Sequence, residues 1–126
     1  MRPGKTTLCA CGVSHRTCSL ERRERLQLDP DSVPRANAIL AGLPGVRECV
    51  ILSTCNRIEF YLVTVPGRDA FDIVGTFYRR FKGLDVTGDA ESFRTRNARG
   101  AAGHLFRVAA GIDSMVLGEN QILGQV

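Results

Sequence analysis

The chain has 126 residues, of which 44% are hydrophobic and 24% charged, with a formal net charge of +4. Those proportions suit one soluble globular domain with its own core. They leave no apolar run near the roughly 20 residues that a membrane-spanning helix needs.

All but two of the 17 basic residues are Arg, the side chain best shaped for bidentate pairing with carboxylate or phosphate. This weakly basic balance is compatible with a nucleic-acid partner without demanding one. The start, Met1-Arg2-Pro3-Gly4-Lys5, is positive but has no apolar stretch or cleavage pattern behind it, so no signal peptide is expected. Five cysteines, an odd number, argue against a disulfide framework and for a reducing, cytoplasmic setting.

In chain order, Thr6 to Val13 reads as a first strand, small and apolar. Ser19 can cap a helix over Leu20 to Leu28, with Glu21 in the first turn where the helix dipole favours an acid. Asp29-Pro30-Asp31 breaks it. A second helical piece carries Val33, Ala36, Leu40 and Leu43 on one face and stops at Gly42-Leu43-Pro44-Gly45. Val46 to Leu52 and Ile58 to Val65 read as strands. The short polar link Ser53 to Arg57 makes them adjacent and antiparallel. Ala70, Val74, Phe77 and Phe81 then mark one face of a helix, flanked by Phe71 and Tyr78 and ended by Gly83. Ser92 to Arg96 is expected to be a short fourth strand.

The order strand, helix, strand, strand, helix, strand predicts an α+β fold, the ferredoxin-like split βαβ sandwich. Two C-terminal helices are expected after it, Ala98 to Ala110 and one from about Asp113 or Ser114 to Val126. The second has no stop signal, so residues 114–126 read as the truncated start of a linker from a single domain, 1–126, to further domains.

Cys55 is the first candidate for chemistry. It lies in a polar turn, where a side chain can be reached from outside. Arg57 nearby can favour a thiolate by its charge, or grip a carboxylate. By position alone a half-buried structural cysteine near a strand end is the plainer reading. His104 follows the same logic: proton transfer is possible, but a core histidine beside Leu105 and Val108 is the plainer reading. Cys9, Cys11, His15 and Cys18 form a rival cluster for zinc, although Cys-x-Cys is not a usual zinc spacing and an apolar strand buries both thiols. In the tail, Gly111, Gly118 and Gly124 interrupt an apolar helix. Glu119, Gln121 and Gln125 there offer polar groups to a ligand or simply to solvent.

Three stretches, taken together, resemble glutamyl-tRNA reductases. They are Gly12 to Glu24 (GVSHRTCSLERRE), Ser53 to Tyr61 (STCNRIEFY) and His104 to Glu119 (HLFRVAAGIDSMVLGE). The resemblance covers nearly the whole chain and implies NADPH-dependent reduction of glutamyl-tRNA to glutamate-1-semialdehyde, at the start of tetrapyrrole (porphyrin, haem) synthesis. It implies that Cys55 attacks the ester and forms a thioester, and that His104 is important for activity. It also implies a glutamate pocket lined by Thr54, Cys55, Asn56, Arg57, Ser114, Glu119, Asn120, Gln121 and Gln125, with Arg57 on the side-chain carboxylate and Glu119 beside the α-ammonium group. The family usually has proline where this chain has Asn120. The resemblance further implies an NADPH-binding domain outside this chain, a homodimer formed through missing helices, and glutamate-1-semialdehyde aminomutase as a partner. It implies neither a metal nor a membrane. No Gly-x-Gly-x-x-Gly fingerprint occurs here, so the thioester site is expected without the hydride donor, leaving a slow esterase. The alternatives are a non-catalytic RNA-binding module and a Cys/His metal-binding domain.

Overall fold

The structure, a computed structural model, describes residues 6–97 and the two-residue strand Val116–Leu117. In order these form β1 (Thr7–Ser14), α1 (Leu20–Leu26), a 3-10 turn (Pro30–Ser32), α2 (Val33–Ala41), β2 (Val46–Ser53) and β3 (Arg57–Thr64). Then come α3 (Ala70–Lys82), a 3-10 segment (Thr87–Ser92), β4 (Arg94–Asn97) and β5 (Val116–Leu117). From β1 to α3 the expected bounds hold to within about two residues.

Period-two alternation decides which side chains meet. Cys9, Cys11 and Val13 of β1 stand opposite Leu62, Phe60 and Ile58 of β3, and all six lie in one apolar core. The helices contribute their predicted faces to it: Ala36 and Leu40 from α2, and Ala70, Val74, Phe77, Tyr78 and Phe81 from α3. Phe60 meets Phe77 at 5.3 Å and Tyr78 at 5.7 Å between ring centroids, within the favourable range for tilted and edge-on rings. The buried Tyr78 hydroxyl donates to the Leu26 carbonyl at 2.7 Å, which ties α3 to the end of α1.

α3 is closed at both ends. The Asp69 carboxylate accepts from the Asp72 N–H at 2.9 Å, and Gly83 takes φ +66, the left-handed turn its lack of a side chain permits. Lys82 reaches back and donates to the carbonyls of Arg25 and Gln27, the exposed end of α1.

The strands lie in the order β4-β1-β3-β2-β5, every pair antiparallel. The order of the first four is that of the split βαβ sandwich, so the expected fold stands. β3 is central, and the turn bearing Cys55 is its entrance.

Two expectations are corrected. Ser92 to Arg96 is not strand throughout: Thr87–Ser92 winds into 3-10 geometry and the ladder starts at Arg94. The helix expected from Asp113 or Ser114 fails at Val116–Leu117, which pair as a strand with Ser53 and Leu52. The exposed edge of β2 offers unpaired backbone groups, and satisfying them outweighs the local helical pattern. The helix expected over Ala98 to Ala110, and the rest of the tail, lie outside the described residues. Among the described residues no helix is long and apolar enough to cross a membrane.

Candidate active site

The link between β2 and β3 is held at every position. The Thr54 N–H donates to the Arg57 carbonyl at 2.8 Å. The Thr54 hydroxyl oxygen accepts from the N–H groups of Asn56 at 3.1 Å and Arg57 at 3.2 Å. This is the local hydroxyl-to-backbone turn that Thr favours. From outside the link, the His15 N–H donates to the Asn56 carbonyl at 2.7 Å.

The most telling brace is Arg23 of α1. Its Nε donates to the carbonyl of Cys55 itself at 3.3 Å, while Nη1 donates to the Cys18 carbonyl at 2.6 Å. Arg23 is only 9% exposed, so its charge is held inside the protein by those bonds. Nothing in the local pattern singles it out, because its contact with Cys55 spans 32 positions.

Cys55 is exposed, whereas Cys9, Cys11 and Cys18 are buried and Cys49 is half-buried. Burial raises the thiol pKa at Cys9 and Cys18, and pushes Cys11 from 9.0 up to about 12. Those three are inert as nucleophiles at neutral pH. Cys55 is the one fully reachable thiol of the five.

Arg57 is not idle. Its Nη1 lies 3.8 Å from Glu59 Oε1, and the Tyr61 hydroxyl donates to the same oxygen at 3.1 Å. Burial and the Glu59 carboxylate raise the Tyr61 phenol well above its ordinary range, so its O–H stays in place to donate. Glu59 is not among the site residues expected from the sequence. The alternation Arg57, Glu59, Tyr61 along one face of β3 is the signal that places it there.

On that face lies a cleft of about 170 Å³. Its floor is Gly12, where a Cβ would come within 2.3 Å of the Ile58 carbonyl and 2.7 Å of Glu59 Cα, so the strands can approach only over bare backbone. Arg16, Arg57, Arg94 and Arg96 rim it, with Ser14, Thr17 and Glu59 between them.

Thr54, Cys55, Asn56 and Arg57 are therefore brought together on one braced turn. His104, Ser114, Glu119, Asn120, Gln121 and Gln125 lie outside the described residues. The rival cluster does not assemble: His15 is exposed while Cys9, Cys11 and Cys18 are buried, and no group of three or more His, Cys, Asp or Glu among the described residues could hold a metal ion. A base-stacking platform is also missing from the described residues, where Leu20 is the sole exposed large hydrophobic side chain and Phe60 and Tyr61 are buried.

Fold and site together define a ferredoxin-like α+β domain that presents one reachable thiol on a braced turn. The family model described as "Glutamyl-tRNAGlu reductase, N-terminal domain" matches residues 11–126, and the chain belongs to this family. The chain is 45% identical over 119 residues to the glutamyl-tRNA reductase of Solibacter usitatus, a match covering 94% of this chain and 28% of that relative. With the glutamyl-tRNA reductase of Pelotomaculum thermopropionicum it shares 42% over 115 residues, 91% of this chain and 26% of the relative. The chain thus spans little more than a quarter of the length of the curated relatives it matches. A solved structure, glutamyl-tRNA reductase from Methanopyrus kandleri, has the same fold at a TM-score of 0.55 and 23% identity, over 85% of this chain and 23% of that one.

Proposed function

We propose that this chain supplies the acyl-accepting half of glutamyl-tRNA reduction. The Cys55 thiolate attacks the carbonyl of the glutamyl ester. A C–S bond forms, the ester C–O bond breaks, and the tRNA leaves with its terminal ribose oxygen protonated. Sulfur suits this step because a thiolate is a strong nucleophile and divides one hard displacement into two easier ones.

The observation that carries the reading is the contrast among five thiols. Cys55 alone is fully exposed, and its own carbonyl is fixed by the buried Arg23. Such a brace fixes the main chain from which the sulfur projects, and positioning accounts for much of the rate in a displacement. The Thr54 oxygen already accepts two N–H bonds, which leaves its O–H as a donor to substrate. Arg57 takes the glutamyl side-chain carboxylate with the N–H groups that Glu59 does not engage. By resemblance, His104, Ser114, Glu119, Asn120, Gln121 and Gln125 complete the pocket.

NADPH belongs to the family's reaction as the source of hydride. The described residues do not fit it: their sheet is antiparallel throughout, and no strand among them opens into a glycine-rich turn before a helix. No reduction step is built on them.

The test is single-turnover transfer. This chain is incubated with glutamyl-tRNA labelled in the glutamate, without NADPH, and quenched in acid. Protein-bound label, or deacylation above background, is expected from the native chain and not from Cys55→Ser. Equal behaviour of the two sinks the reading.

A further inference from the structure

The arginine-rimmed cleft has more positive charge than the glutamyl group can use. Among the described residues that line it, Arg16, Arg57, Arg94 and Arg96 face one carboxylate, Glu59, which already holds Arg57. On α1 a pair of arginines does share an acid: Arg22 and Arg25 both reach Asp89, at 3.4 Å and 3.9 Å. Among the described residues no ion pair reaches Arg16, Arg94 or Arg96. Arg94 is aimed by its Nη1, which donates to the carbonyls of Glu91 and Phe93, and this leaves its other N–H groups for a ligand. Guanidinium groups gathered round one cleft repel each other unless an anion joins them.

The sheet explains why they gather. Arg94 stands opposite Gly12 and Arg96 opposite Ala10, while Glu59 stands opposite Gly12 and Arg57 opposite Ser14. All therefore lie on one face of β4, β1 and β3. The cleft crosses two strand spacings, about 10 Å. One end is Arg57, two residues past Cys55. The loop bearing Arg16 is tied to the same turn by the bond from the His15 N–H to the Asn56 carbonyl. The volume, about 170 Å³, is that of five or six waters at about 30 Å³ each. A phosphate group fits within it.

We infer that this cleft is a phosphate subsite for the 3′-terminal phosphodiester of the RNA whose ester Cys55 attacks. In an aminoacyl-RNA the ester sits on the last ribose, and the nearest negative charge of the RNA is that ribose's own 5′ phosphate. Arg16, Arg94 and Arg96 bind it, while Arg57 is kept for the acyl group. The inference rests on the acyl-acceptor reading only for the identity of the RNA. The subsite sets where the RNA end lies and does not take part in bond making.

The experiment compares the native chain with the double variant Arg94→Gln/Arg96→Gln, the double variant Arg94→Lys/Arg96→Lys, and Arg16→Gln. One probe is a deacylated tRNA transcript, titrated over a series of salt concentrations. A second is 3′-O-glutamyl adenosine, an ester with no phosphate, followed as acylation of Cys55. A third is inorganic phosphate. Thermal melting confirms that each variant is folded. The double Gln variant is expected to bind the transcript at least about tenfold more weakly. Its salt slope should be lower by about 0.7 for each single-strand phosphate that is no longer neutralised. Its acylation by the phosphate-free ester is expected to be unchanged. The double Lys variant should keep most of the slope, because charge remains, and Arg16→Gln should weaken binding less, in the same direction.

The inference is overturned if the double Gln variant keeps the native affinity and slope. It is also overturned if acylation by glutamyl adenosine falls as far as RNA binding, since the arginines then serve the acyl group or the fold. Competition by inorganic phosphate with no effect of the variants on RNA would assign the cleft to a free anion instead. If Cys55 is never acylated but RNA binding tracks these arginines, the acyl-acceptor reading fails and the subsite stands.

Discussion

Cys11 and Cys55 are the same residue in opposite circumstances. Cys11 lies in β1, 1% exposed, against Phe60 and within reach of the Thr95 hydroxyl at 3.9 Å, and burial pushes its thiol up to about 12. Cys55 lies at the mouth of β3, open to solvent, with its carbonyl held by Arg23. A sheet places the first by the alternation of its strand and the second by the turn between two strands. Reactivity follows from that placement and not from the residue type.

The sharpest way to break the contrast is to remove each sulfur in turn. Cys55→Ser should lower acyl transfer by at least about 10³-fold, as loss of a nucleophile does, with melting unchanged. It should also abolish the fast phase of alkylation at neutral pH. A fast phase that survives would place the reactive thiol elsewhere.

Next in size is Arg23→Ala. It frees the carbonyls of Cys18 and Cys55, and a nucleophile misplaced by about 1 Å can lose about 10²-fold in rate. Single-turnover acylation should fall by about 10- to 100-fold, and Arg23→Lys should recover only part of it because one ammonium cannot span both carbonyls. An unaltered rate would show that the turn holds its shape without the brace.

Cys11→Ser should do the reverse of Cys55→Ser. A hydroxyl in that apolar site costs about 1–3 kcal/mol in urea unfolding, while the fast alkylation phase stays intact. Gly12→Ala belongs beside it: the methyl meets the Ile58 carbonyl at 2.3 Å, and forcing β1 from β3 should cost about 1–3 kcal/mol.

The smallest effect is alkaline. The folded Cys11 thiol ionises at about 12, the unfolded one near 9.0, so above the lower value the unfolded state sheds a proton that the folded state keeps. Stability is then full below pH 9.0 and falls as pH rises towards about 12. At about pH 10 the loss is about 1–2 kcal/mol. Cys11→Ala should make that slope shallower in a pH series of unfolding curves, with the raised Cys9 and Cys18 thiols and the Tyr61 phenol keeping part of it.

Much of this is legible in the sequence because it is local. The period-two runs of β1, β2 and β3, the five-residue link between the last two, and the apolar face from Ala70 to Phe81 predict both pairing and layers. The parts that are not legible are long-range. Arg23 meets Cys55 across 32 positions, and no neighbour of either marks the contact. Val116–Leu117 become strand because the edge of β2 is there to receive them, not because of their own pattern. The cleft needs β1, β3 and β4 side by side before Arg57, Arg94 and Arg96 share a face, with Arg16 joining them from the loop after β1.

The strand order also settles how the site fails. β3 has a hydrogen-bonded neighbour on each side, β1 and β2, and the thiol turn is continuous with it. Amides in Ile58 to Leu62 can exchange with solvent only when one of those ladders opens, which in a sheet of this size approaches unfolding of the whole domain. On warming, the turn at Cys55 should keep its shape until the domain melts, so activity and fold are lost in one transition.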